Sequence, residues 1–224
     1  MDIFSGAEIK AVRAANALVE DKRKRARAAA IQTKYVLRRA KSEAVLADIL
    51  PSDFVPGTSY HVISHGDVDA LSYLRHVVKH RPLTHCAIST WCIARDDVAE
   101  VGRWLDSGLI EVMDWYVGEI FPGQYADAMA LVETLVSTYG GRVVVARNHS
   151  KVILCADEKN EFYVAIEGSA NVNTNPRIEQ TAIHASKDLY LFYREFFDGL
   201  QTILPNRNAV RIRQNERGIE TSHK

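Results

Sequence analysis

The chain has few cysteines, no long apolar run and no net charge. Its 224 residues include three cysteines, Cys86, Cys92 and Cys155, each within an apolar, strand-like run. An odd count without metal-site spacing points to buried small hydrophobes in a reducing compartment rather than to a disulfide framework or a zinc site. No stretch approaches the roughly 20 apolar residues of a membrane span, and nothing near the N-terminus reads as a signal peptide. The expectation is a cytoplasmic protein that does not enter a membrane. Lys and Arg total 28, as do Asp and Glu, so net charge argues neither for nor against nucleic acid.

The distribution of that charge says more. Residues 1–50 hold eleven Lys or Arg against six Asp or Glu, so this part nets +5 and the remainder −5. Over residues 6–48 alanine is abundant, proline is absent and glycine is absent after Gly6, while Ile9, Val12, Ala15 and Val19 recur at helical intervals. The pattern predicts a long N-terminal helical arm over residues 1–50. In its middle lie Lys22, Arg23, Lys24, Arg25 and Arg27. They form either a solvated helical face or phosphate contacts, and with no aromatics among them such contacts would be blind to base sequence. Residues 205–224, with Arg207, Arg211, Arg213 and Arg217, read as a flexible basic tail.

Between these ends the pattern alternates. Residues 51–58, with two prolines and a glycine, form a linker. Ser59 to Ser64 is a strand and Asp67 to Lys79 a helix, with Asp67 as its cap or His65-Gly66-Asp67 as neighbours of a site. Thr84 to Ile93 is a central strand, Ala99 to Ser107 a helix closed by Gly108, and Leu109 to Val117 a strand. Phe121 to Gln124 is a loop, and Tyr125 to Tyr139 a helix that Gly140-Gly141 terminates. Such alternation predicts an α/β domain over residues 59–204, with a mixed or mostly parallel sheet and helices on its faces. Ligands in such sheets bind at the carboxyl ends of strands. His61, His76, His80 and His85 offer no metal-ligand spacing.

The most informative stretch is Val143 to Gln180. His149 and Lys151 alternate with Ser150 and Val152 along an expected strand, which would set imidazole and ammonium on one side. After a hairpin, Phe162 to Ile166 is almost wholly apolar, and Gly168 breaks the strand before Ser169 and Asn171. An imidazole, an ammonium, a hydroxyl and a carboxamide at adjacent strand ends suit an anionic, tetrahedral ligand. Histidine and lysine on a strand are usually a solvated face, but the segment around them is apolar.

His149-x-Lys151 followed by Gly168-Ser169-x-Asn171 and Glu179 resembles the HxK…GSxN motif of the phospholipase D superfamily. Gly140 to Val145 resembles the strand that precedes the motif, and Thr181 to Leu204 the closing strand and helix. One departure stands out: the family has Asp five positions after the Lys, where this chain has Ala156, with Asp157 next to it. No second copy of the motif is present.

The resemblance implies a phospholipase D-like mixed sheet flanked by helices and phosphodiester cleavage through a phosphohistidine, without metal or other cofactor. His149 would attack or protonate, Lys151 and Asn171 would stabilise phosphoryl charge, Ser169 would bond an oxygen or fix the turn, and Glu179 would orient His149. The chemistry needs two histidines, so one motif per chain implies a homodimer with a shared site. With the basic arm and tail, the expected substrate is nucleic acid, DNA or RNA, and the expected activity that of a nonspecific endonuclease. The alternatives are a phospholipid phosphodiesterase, or a catalytically silent nucleic-acid-binding or assembly protein such as a phage might encode.

Overall fold

A computed structural model describes residues 41–203 apart from 67 and 173–176. The basic cluster Lys22 to Arg27, most of the N-terminal arm, the suggested cap Asp67 and the tail lie outside the described residues.

Seven strands form one sheet: β1 (Ser59–Ser64), β2 (His85–Thr90), β3 (Met113–Gly118), β4 (Val143–Ala146), β5 (Val152–Asp157), β6 (Phe162–Gly168) and β7 (Glu179–His184). Their spatial order is β1-β7-β6-β5-β2-β3-β4. β2, β3 and β4 pair in parallel, whereas β5 is antiparallel to both β2 and β6, and β7 to both β6 and β1. Five strands therefore run one way, and β5 and β7 run the other. The chain has the mixed α/β sheet flanked by helices that its pattern implies.

Alternation along the strands divides the core in two. Cys86, Ile88, Met113, Trp115, Val117, Ile153, Cys155, Val164 and Ile166 face helices α2 (Ala70–His80), α3 (Arg95–Asp106) and α5 (Ala126–Tyr139). Ala87, Tyr116, Val152, Leu154, Ala156 and Ala165 face α6 (Lys187–Asp198), which buries Tyr190 and Phe197. β2, β3 and β5 are buried along their whole length, as strands covered on both faces should be. All three cysteines are buried and none is in a disulfide.

Helix α1, described over residues 41–49, packs on the body: Leu46 is fully buried, and Leu50 and Phe54 join the same core. Arg75 ties α1 to α2 and α3 by bridging Glu43 and the buried Glu100. On the other face Arg142 is the clamp. Its guanidinium donates to Tyr116 Oη at 2.5 Å, to the Phe197 carbonyl at 2.9 Å and to Asp198 Oδ1 at 2.7 Å. Burial, only partly offset by that guanidinium, pushes the Tyr116 phenol up to about 12.

Several element boundaries differ from the sequence pattern. α2 begins at Ala70, and its cap is Asp69, whose carboxylate accepts from Ser72 N–H at 3.0 Å. α3 starts at Arg95 rather than Ala99 because Asp96 and Asp97, which look like loop, suit the positive end of a helix. β3 begins only at Met113, and before it the pairing is the single bridge of Leu83 with Ile110. Phe121–Gln124 is one helical turn, α4, instead of loop.

Gly141 has φ +84°, and a Cβ there would fall 2.2 Å from the Met113 carbonyl oxygen. Gly141→Ala is expected to cost about 2–5 kcal/mol, from left-handed strain plus overpacking, measured as a lowered urea midpoint.

Candidate phosphate site at the end of the sheet

The strand directions bring the motif together. β1, β2, β3, β4 and β6 end at one edge of the sheet, and β5 and β7 begin there. Gly168 closes β6 at this edge, Glu179 opens β7, and His149 and Lys151 lie just ahead of β5. The two motif residues are not on a strand, contrary to the alternation along residues 149–155, because β5 starts only at Val152.

The approach to β5 is held by amide chemistry instead. Asn148 Nδ2 donates to the Tyr116 carbonyl at 2.8 Å and to Ser89 Oγ at 2.9 Å, while its Oδ1 accepts from Ser150 N–H at 2.9 Å. Ser150 Oγ lies 2.6 Å from Ser89 Oγ. Residues 148–150 are thus tied to β2 and β3, and His149 projects from a fixed backbone. Nothing in the spacing of the motif signals Ser89, and Asn148 is marked only by adjacency.

Lys151 folds back on His149. Its Nζ donates to the His149 carbonyl at 2.5 Å and lies 2.8 Å from Nδ1 and 3.3 Å from Nε2 of the ring. An ammonium has only hydrogens to offer, so the ring meets it with a lone pair. Burial draws the Lys151 ammonium below its ordinary value, and Cys92 and Glu179 pull the other way. The Cys92 thiol is itself raised by burial and is a poor nucleophile.

The second half of the motif is locked to its surroundings. Ser169 Oγ donates to the Glu179 carboxylate and accepts from Gln180 N–H at 3.1 Å, and Ser169 N–H donates to the Gln180 carbonyl at 3.1 Å. The hydroxyl therefore fixes the turn, and Glu179 accepts its hydrogen bond while acting on Lys151 through charge. Asn171 Oδ1 accepts from Trp91 N–H at 3.3 Å, which leaves its amide hydrogens as the end that can meet an anion. Val172 is held by Thr90 Oγ1 at 3.2 Å. A small cavity of about 20 Å³ is lined by Lys151, Gly168, Ala170, Ser89, Tyr73 and Thr181 among others.

The other described histidines stand elsewhere. His85 and His184 occupy the opposite edge of the sheet, where His85 is buried between Asp114 at 3.0 Å and the Tyr190 hydroxyl at 2.7 Å. His76 and His80 sit on the last turns of α2. His65 follows β1 at the same edge as His149, but three strand spacings put it roughly 14 Å away. Among the described residues no second imidazole can share one phosphorus atom with His149. Nor does any group of three or more His, Cys, Asp and Glu there stand close enough to hold a metal ion. No helix among them is long and apolar enough to cross a membrane.

No family model and no curated protein matches the chain. Among solved structures it is similar to the crystal structure of polyphosphate kinase from Porphyromonas gingivalis, with 17% identity and a TM-score of 0.46 over 68% of this chain. The chain spans a quarter of that protein, 25% of its length. A superposition of that quality carries no argument about activity. The chemistry of the site rests on its own geometry.

Asp157 lies at the far end of β5 from the motif. It is buried and accepts from Asn160 Nδ2 at 2.6 Å, closing the β5–β6 hairpin.

Lys151 is held at a cost to folding. The folded chain gives up this proton at lower pH than the unfolded chain, so between those two values the unfolded state holds more protons and stability rises with pH. The cost is fully present at neutral pH. Lys151→Met is expected to unfold at higher urea than the wild type at neutral pH, with the gap narrowing toward about pH 10.4, the ordinary lysine value.

Proposed function

We propose that the chain is a metal-independent phosphodiesterase that cleaves nucleic acid through a phosphohistidine, in a site completed by a second copy of itself. The observation that carries this reading is His149 with Lys151 Nζ at 2.8 Å, at the sheet edge where the Gly168-Ser169-x-Asn171 turn and Glu179 arrive, with no second imidazole in reach among the described residues.

The geometry supports the following steps. A ring nitrogen of His149 in one copy attacks phosphorus and the bond to the leaving oxygen breaks. That oxygen takes a proton from His149 of the second copy. Water then attacks phosphorus, returns a proton to the second imidazole, and the P–N bond breaks. The two Lys151 ammoniums and the two Asn171 amides face charge on the non-bridging oxygens, where fixed donors stabilise a transition state most. Ser169 and Glu179 hold the turn that aims Asn171.

A second copy at this edge is favoured by its surface. Ile63 on β1, opposite Gln180, and Ile178, just ahead of β7, are 74% and 68% exposed, large apolar side chains that would otherwise be left in water. Nucleic acid is favoured as substrate by the lysines and arginines at positions 22–27 and the arginine-rich end of the sequence.

The test compares nicking of plasmid DNA with hydrolysis of phosphatidylcholine vesicles, both in excess chelator. Cleavage of DNA alone is expected, and His149→Asn should reduce it by at least about 10³-fold while leaving the dimer intact. Retention of full rate by that variant would remove the phosphohistidine scheme, and selective vesicle hydrolysis would reassign the substrate. Ile63→Arg with Ile178→Arg is expected to convert dimer to monomer in light scattering and to abolish cleavage in the same preparation.

A further inference from the structure

The loop after β2 places Trp91 against the catalytic candidate. Its indole centroid lies 5.7 Å from that of the His149 imidazole, with the planes 52° apart. The placement is fixed on three sides. Trp91 N–H donates to Asn171 Oδ1 at 3.3 Å, so one peptide touches the second half of the motif while its side chain touches the first. The Trp91 carbonyl accepts from Gly118 N–H at 3.3 Å. A Cβ on Gly118 would fall 2.5 Å from Trp91 Cδ1, 2.7 Å from Trp91 O and 3.2 Å from Asn148 O. Position 118 therefore admits only glycine if the indole and the Asn148 backbone are to stay where they are.

We propose that Trp91 is the positioning residue of His149, a role that rests on the phosphodiesterase reading of the site. The indole limits the rotations open to the exposed imidazole. Its π system also lies within the roughly 6 Å over which an aromatic face attracts a cation. The ring needs that support when it is positive, either holding a proton for the leaving oxygen or carrying the phosphoryl group. Lys151 presents a like charge 2.8 Å from Nδ1, with Glu179 acting on that ammonium. The indole is the group at this site that favours positive charge on the ring without adding a charge of its own.

The test has two arms. In the first, Trp91→Leu lowers kcat roughly 10²-fold, the effect of misplacing a reacting group by about 1 Å, with KM little changed, and Trp91→Phe restores most of the rate. Full kcat in Trp91→Leu would overturn the proposal. The second arm needs no turnover. An imidazole in contact with an indole quenches its emission, so His149→Asn is expected to raise the fluorescence by a component that is absent when the same substitution is made in Trp91→Phe. Persistence of that component in Trp91→Phe would assign it to Trp104 or Trp115 and overturn the contact. A chain that cuts nothing can still pass this second arm, so failure of the phosphodiesterase reading and failure of the positioning role remain distinct.

Discussion

The direction of the strands is the constraint from which the site follows. A parallel strand must be re-entered from the same end, so β1, β2, β3, β4 and β6 all deliver their carboxyl ends to one edge. The two reversed strands, β5 and β7, start where the others stop. One edge thereby collects seven chain crossings within a few strand spacings. His149 and Lys151, Gly168 to Asn171, Glu179 and Trp91 are distant in sequence and adjacent for this reason alone.

What that edge holds is costly in the folded state. An ammonium is drawn out of water, and the backbone of residues 148–150 is fixed by an amide that spends its hydrogen bonds on Ser89, Tyr116 and Ser150. The two buried faces of the sheet, with Trp115, Tyr116 and Tyr190 fully enclosed, supply the stability against which such groups can be held in place. Tyr116 belongs to both systems: its ring stacks on Phe197 at 4.8 Å, and its carbonyl receives Asn148. Packing of α6 is thus coupled to the position of His149 through one residue of β3.

The order of strands and helices was legible from hydrophobic runs and from glycine and proline, because fully buried strands are continuous in apolar residues. Boundaries were not legible where polar residues serve a fold: Asp96 and Asp97 favour a helix start, and Asp69 rather than Asp67 caps α2. The site's two clusters were legible as a motif, but the strand pattern placed His149 and Lys151 one element too far, since alternation of side chains persists through the loop ahead of β5. Trp91, Ser89, Thr90 and Gly118 were invisible for a different reason. They come from β2, the loop that follows it and β3, some thirty to eighty residues away from the motif, and their part in it is created by pairing that no local pattern encodes.

The same geometry places Asp157 far from the motif. Six residues of extended chain separate Lys151 from Asp157, roughly 20 Å, about two Debye lengths at physiological salt. A charge there exerts little force on a phosphoryl group at the motif. Asp157 instead binds Asn160, and Arg81 lies 3.7 Å from its carboxylate, contacts that close a hairpin and join it to the end of α2. Ala156 occupies the neighbouring register position opposite Tyr163, facing α6, and is fully buried. This fully buried position stands between His85 of β2 and Tyr163 of β6, whereas one residue on the Asp157 carboxylate meets an amide and a guanidinium. Asp157 therefore belongs to the hairpin, at the opposite end of β5 from His149 and Lys151.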